Sequence, residues 1–203
     1  RFVNEDKWEN DFARVGIAQR NQNKTYAVFC KGDLDAWENE GVYSTCFSFV
    51  AAGEPMAGFT EAVEALDSVH KADTIEELAE AVELDPEALK AVVDQYNSYC
   101  AAGEDPDFNK APEKMHAIEE GPFYIAEIAD GYYCTVGGAK IDTDCEVINT
   151  EGEVIPGLYA TGCDAGGLYG DAYDVNKAPG SQSSWACNSG RFAAQAAAKY
   201  LGK

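Results

Sequence analysis

The sequence predicts an α+β fold in which a mostly helical domain is followed by a partial α/β segment. Three observations predict it. Residues 72–103 carry two consecutive helical repeats, each with its own start and stop signals. From residue 123 onward, short strand-like runs alternate with glycine-rich turns. The chain closes on an Ala-rich stretch of helical spacing that ends at Gly202. The composition shifts near residues 122–134, which places a boundary between domains of 1–134 and 135–203.

The elements follow in order. Residues 24–30 (KTYAVFC) read as a strand, with Tyr26, Val28 and Cys30 alternating against Ala27 and Phe29. Residues 31–58, with Gly32, Gly41, Gly53 and Pro55, read as short helices and loops. Thr74 followed by Glu77 is a capping-box pattern, and Ile75, Leu78, Ala79 and Val82 recur at helical spacing. Asp85 at the N-cap and Pro86 at the first helical position start a second helix. Its apolar face is Leu89, Val92, Val93, Tyr96 and Cys100, and Gly103 stops it. The pair forms a helical hairpin whose apolar stripe is core. Residues 104–122 are polar and read as a surface excursion. A strand is expected at 123–128. Residues 146–149 and 153–155 flank an Asn149-Thr-Glu-Gly152 hairpin turn. Residues 157–160 read as a buried strand running into Gly162, and residues 183–201 as a helix with Phe192, Ala193, Ala196 and Tyr200 on one face.

Composition narrows the function classes. Over 203 residues, 46% are hydrophobic and 25% charged, which excludes disorder, collagen and coiled coil. No apolar run reaches the roughly 18–20 residues a membrane helix needs. Lys plus Arg number 15 against 36 Asp plus Glu, so the formal charge is −21. A polyanion of this kind repels nucleic acid and anionic lipid. The arginines are Arg1, Arg14, Arg20 and Arg191, too few to clamp a polyanionic substrate. The 7 cysteines form no CxxC pair, and only His70 and His116 add imidazoles. Neither a zinc nor an iron–sulfur site is expected, and free thiols fit better than a disulfide framework. The opening RFVNEDKW has neither an initiator Met nor a signal segment, and reads as the interior of a longer protein.

Four features carry candidate chemistry. In TVGGAKID, Gly137 and Gly138 allow close backbone approach, although a bulge explains them equally well. In IPGLYATGCDAGG, Gly162, Gly166 and Gly167 bring main-chain amides to a strand end, where ligands lie in open α/β sheets. Gly180-Ser-Gln-Ser-Ser184 enters the last helix, whose free amides suit a partial negative charge; plain capping by serine is the alternative. Tyr132, Tyr133, Cys134, Tyr169 and Tyr173 form a polar–aromatic set that can polarise a carbonyl or deliver a proton, or else simply pack.

The order of segments says more than any one of them. RFVNE, ADTIEELA, LDPEALKAVVDQYN, GPFYIAEI, TVGGAKIDTDCEVINTEGEVIPGLYATG and GRFAAQAAA, in that order, resemble the carboxy-terminal half of the fumarate reductase/succinate dehydrogenase flavoprotein family. The resemblance covers nearly the whole chain. It implies a cap domain over 1–134 that closes on substrate, and the last segment of an FAD-binding domain over 135–203. The GxGxxG turn for the ADP half of FAD is absent from this sequence, so the chain alone is expected to bind FAD poorly and to be inactive. By resemblance, Gly137, Gly138, Gly162, Cys163, Gly180, Ser181, Gln182 and Ser183 face the cofactor. No metal is implied.

Departures from the family pattern bear on substrate. Cys163 stands where a Glu is usual, and no Arg follows RFVNE within Asp6-Lys7-Trp8-Glu9-Asn10. Cys134 stands where a His precedes TxGG, and the loop Gly170-Asp-Ala-Tyr-Asp-Val-Asn-Lys177 lacks an Arg. Each lost charge-assisted carboxylate contact costs about 1.5–3 kcal/mol, which argues against a dicarboxylate. The expected reaction is hydride exchange between flavin N5 and an activated C=C bond of an uncharged small molecule. Tyr173 would polarise or protonate, Tyr133 and Cys134 would line the cleft, and Glu9 or Lys7 would join a proton route. An electron-donor protein or domain is the expected partner. A 3-ketosteroid Δ1-dehydrogenase-like enzyme and a non-catalytic module of the same family are the alternatives.

Overall fold

The computed structural model describes residues 1–42, 52–131, 134–173 and 178–203. It divides into two compact units, Arg1–Asp130 and Gly131–Lys203.

The first unit begins with helices α1 (Lys7–Asn10) and α2 (Phe12–Arg20), then strand β1 (Thr25–Cys30). Helices α3 (Lys31–Asn39) and α4 (Phe59–Glu64), strand β2 (Val69–Ala72), helices α5 (Ile75–Ala81) and α6 (Pro86–Ala102), and strand β3 (Phe123–Ile128) complete it. The sheet order is β1-β3-β2, antiparallel throughout, with Thr25 opposite Ile128 and Val69 opposite Ala126. β3 is therefore central, and its Tyr124 and Ile125 are buried. The core packs Ile75, Leu78 and Val93 of the helical hairpin onto Ile125, with Tyr26, Val28, Leu89 and Phe123 around them.

The hairpin's boundaries have local causes. The Thr74 hydroxyl accepts from the Glu77 amide, and the Glu77 carboxylate accepts from the Thr74 amide, each at 3.2 Å. Asp85 caps α6 by accepting from the amides of Glu87 and Ala88. Gly103, at φ 69°, ends α6 in a left-handed turn.

The polar stretch after α6 lies at the surface as predicted, with Asp105 as its one buried residue. Asp105 is only 2% exposed. Its carboxylate takes two bonds from the Arg1 guanidinium, at 3.0 and 2.7 Å. Arg1 also bonds both oxygens of Glu5 and lies over the rings of Tyr96 and Phe108. The Arg1 hydrogen bonds, with help from the Phe108 and Lys110 amides, overcome the cost of burial and hold the Asp105 carboxyl down near about 2.

The second unit contains strands β4 (Glu146–Ile148) and β5 (Val154–Tyr159) and helix α7 (Ser181–Tyr200). β4 and β5 pair antiparallel across the predicted turn. There the Asn149 side-chain oxygen accepts from the amides of Glu151 and Glu153, and Gly152 takes φ 87°. One expectation needs correction. Residues 157–160 read as a buried strand, yet Gly157 and Leu158 are exposed, Leu158 by 47%, and Tyr159 and Ala160 are half-buried. Among the described residues β5 pairs with β4 alone, in a two-stranded ribbon. α7 forms as predicted, with Ser189 and Ala193 buried and Phe192 and Tyr200 36% and 60% exposed. The six described cysteines are free thiols. Among the described residues no helix is long and apolar enough to cross a membrane.

Candidate functional site

Three glycine-bearing segments that lie apart in sequence meet in the second unit. The first contact joins residues 135–139 to 163–166. The Ala139 amide donates to the Asp164 carbonyl at 2.8 Å, the Gly166 amide to the Ala139 carbonyl at 3.0 Å, and the Thr135 hydroxyl to the Cys163 carbonyl at 3.1 Å. Gly138 sits so close to this crossing that a Cβ there would fall 2.3 Å from the Asp164 carbonyl oxygen. Close approach is thus the reason for glycine at 138. Gly137 has open space around it. Ala139 and Ala165 form a parallel bridge, whereas β5 itself pairs antiparallel. Gly162 follows the end of β5, which pairs antiparallel with β4.

The second contact joins Gly162–Asp164 to α7. The Gly162 amide donates to the Ser189 hydroxyl at 3.0 Å, and the Trp185 indole donates to the Gly162 carbonyl at 3.1 Å. Ser189 in turn donates to the Trp185 carbonyl at 2.6 Å and is fully buried. The Gln182 side-chain amide Nε2 donates to the Cys163 sulfur at 3.1 Å. Gly162, at φ 58°, is held in a left-handed turn that L side chains resist. Trp185 and Ser189 were not singled out in the sequence. A serine four residues after a tryptophan in an Ala-rich helix leaves no pattern distinct from its neighbours.

The start of α7 departs from serine capping. Gly180 is the N-cap, at φ 75°, and no side chain caps the helix. The Ser181 amide donates to the Ala178 carbonyl, and the first helical bond runs from the Ser184 amide to Gly180. Helix geometry leaves the Gln182 and Ser183 amides without an intrahelical acceptor. The Ser181 hydroxyl is buried with no hydrogen-bond partner. A 20-residue helix adds the positive end of its dipole at this point. Backbone amides without an intrahelical acceptor and the positive end of the helix suit an electron-rich polar edge. The residues present fit the isoalloxazine of FAD.

Tyr173 is 8% exposed, and its ring lies 4.9 Å from that of Tyr169 at 49°. The Tyr169 hydroxyl is buried and unpartnered. Cys134 is half-buried. Tyr133 and the Glu9 side chain lie outside the described groups, as do residues 174–177 of the loop after Tyr173. Glu9 belongs to α1 of the first unit, and Lys7 beside it is exposed. No group of three His, Cys, Asp or Glu placed to hold a metal occurs among the described residues.

Comparison with known proteins places the chain in a family. The model of the FAD binding domain matches residues 1–176. Vinyl phenol reductase of Lactiplantibacillus plantarum is 37% identical over 205 residues, covering 98% of this chain and 41% of that protein. A fumarate reductase (cytochrome) of Shewanella frigidimarina is 39% identical over 132 residues, 65% of this chain and 22% of that protein. The chain thus spans about two fifths or less of the length of these relatives. The solved 3-ketosteroid delta1-dehydrogenase of Sterolibacterium denitrificans shares the fold, with TM-score 0.74 at 22% identity over 98% of this chain and 37% of that one. α7 lies beyond the residues matched by the family model, and the vinyl phenol reductase match extends over nearly all of the chain. With the family model matched over most of its length, the chain belongs to the FAD binding domain family, among the fumarate reductase-like flavoproteins.

Proposed function

We propose that the chain comprises the substrate-closing cap (1–134) and the final FAD-domain segment (135–203) of an oxidoreductase acting on an activated C=C bond. The substrate is uncharged and not a dicarboxylate. FAD, when bound, supplies hydride exchange at N5. The Gln182 and Ser183 amides, preset by Gly180 and the α7 dipole, hold the electron-rich edge of the ring system. Gly137, Gly138, Gly162 and Cys163 form the backbone wall beside it. Tyr173 donates its phenolic proton to a substrate carbonyl oxygen, and its burial against Tyr169 keeps water from competing for that bond. Cys134 and Tyr133 line the substrate cleft. Glu9 or Lys7 joins a proton route. A separate protein or domain delivers the electrons.

The observation that carries this reading is the contact of Gln182, at the uncapped start of α7, with Cys163, in the segment that residues 135–139 cross. The missing arginines carry the substrate class. The test is Tyr173→Phe in the complete enzyme, assayed with an enone and a reduced dye, and in reverse with an artificial acceptor. Turnover should fall by at least ~10²-fold in the favoured direction, as for lost acid catalysis. Turnover close to wild type rejects the role of Tyr173.

A further inference from the structure

We propose that Asn4 and Asp105 are positioning residues for proton delivery, a role that rests on the proton route proposed above. They strap the opening segment of the first unit to the loop after α6, and so fix α1, the helix to which Lys7 and Glu9 belong.

α1 does not hold its own place. It is a single turn of 4 residues with no side-chain cap, and helices this short do not stand alone in water. Its first amides rest on the two residues before Asp6. The Lys7 amide donates to the Asn4 carbonyl at 3.0 Å, and the Trp8 amide to the Glu5 carbonyl at 3.1 Å. Where Asn4 and Glu5 are held, α1 follows.

Both are fastened to residues 104 or more positions away. The Asn4 side chain works at both ends: Nδ2 donates to the carbonyls of Phe108 and Asn109, at 3.0 and 3.1 Å, and Oδ1 accepts from the Asp6 amide at 2.9 Å. Glu5 is held through Arg1, which gives it two bonds, at 2.7 and 2.8 Å, and gives Asp105 two more. Asp105 also shapes the loop that receives Asn4, because its carboxylate accepts from the amides of Asp107, Phe108 and Lys110, each at 3.3 Å. The Asp105 side chain is wholly buried, and a two-pronged guanidinium–carboxylate pair fixes direction as well as distance. Lys110 and Lys114 add ion pairs to Glu5 and Asp6, at 3.7 and 3.9 Å. Reduction of a C=C bond takes up one hydride and one proton, and a group that is misplaced by about 1 Å can lose ~10²-fold in rate. A strap that sets the position of α1 therefore sets the rate of the proton step.

The experiment uses the complete flavin-loaded protein containing this chain and times two steps by flavin absorbance: reduction by a dye, then reoxidation by an enone. Asn4→Asp keeps the acceptor for the Asp6 amide and loses the donor to Phe108 and Asn109. Asp105→Asn weakens the grip on Arg1. Each should slow reoxidation by about tenfold or more, enlarge its solvent deuterium isotope effect, and leave reduction by the dye at the wild-type rate. Should Asp105→Asn fail to fold, Asn4→Asp alone decides. Wild-type reoxidation in Asn4→Asp, or equal slowing of both steps, overturns the inference. The double variant Lys7→Met with Glu9→Gln separates the two readings. If it reoxidises at the wild-type rate, the proton route itself is refuted and the positioning role goes with it. If it is slow while Asn4→Asp is not, the positioning role alone is refuted.

Discussion

Replacing Gly138 with alanine tests the backbone crossing at the heart of the site, with Gly137 as an internal control. A Cβ at 138 would lie 2.3 Å from the Asp164 carbonyl oxygen and 2.8 Å from the Gly166 amide nitrogen. Both are backbone atoms, so neither can rotate away. Overpacking of this sort costs roughly 1–3 kcal/mol. Separating the strands also endangers the bonds from Ala139 to Asp164 and from Gly166 to Ala139, at roughly 0.5–1.5 kcal/mol each. The loss is then at least about 2 kcal/mol, which corresponds to roughly 30-fold in an opening equilibrium. Amide hydrogen exchange at Ala139 and Gly166 reads it directly: Gly138→Ala should accelerate both by ~30-fold or more. Gly137→Ala, with nothing within 4 Å of its Cβ, should leave both near wild type. Equal rates in wild type and Gly138→Ala, or equal damage from both substitutions, would refute the close-crossing argument.

Other consequences can be checked separately. The Asp105 carboxyl, held near about 2 in the folded state by Arg1 against an ordinary value of about 3.9, contributes stability that is complete above about pH 4. That contribution, about 2 kcal/mol, should be lost as pH falls to about 2, and acid titration of unfolding in Asp105→Asn should lack this step. Among the cysteines, exposed Cys163 and Cys187 should alkylate before buried Cys30 and Cys145, whose thiols desolvation pushes up; mass spectrometry of a timed iodoacetamide reaction reads the order. Gly162→Ala must adopt φ near 58° and should destabilise by about 1 kcal/mol, seen as a lower urea midpoint of Trp185 fluorescence. The 203-residue chain, with no GxGxxG turn, should retain FAD weakly, so equilibrium dialysis should leave it nearly colourless.

What the sequence made legible was local. The Thr74–Glu77 box, the Asp85-Pro86 start, the Gly103 stop and the Asn149–Gly152 turn each depend on residues within four positions, and each formed as written. Sheet order was not legible, because β1 finds β3 across roughly a hundred residues and alternation alone does not name a partner. The burial of Asp105 stayed hidden for the same reason. An aspartate in a polar run looks solvated until its arginine, 104 residues away, is placed on it. The exposure of β5 shows the converse limit: an apolar strand pattern says that a face can be buried, not what lies on it. At the site, glycine pairs marked close crossings because the absence of a Cβ is itself visible. Trp185 and Ser189, which fasten Gly162 to α7, carried no such mark.

The central claim is that the start of α7 receives the flavin ring, and the flavin-loaded structure of the complete protein tests it most directly. The account predicts the Gln182 or Ser183 amide nitrogen about 3 Å from the pyrimidine edge of the isoalloxazine. A bound flavin whose ring lies away from residues 180–183, with those amides facing water, would contradict it.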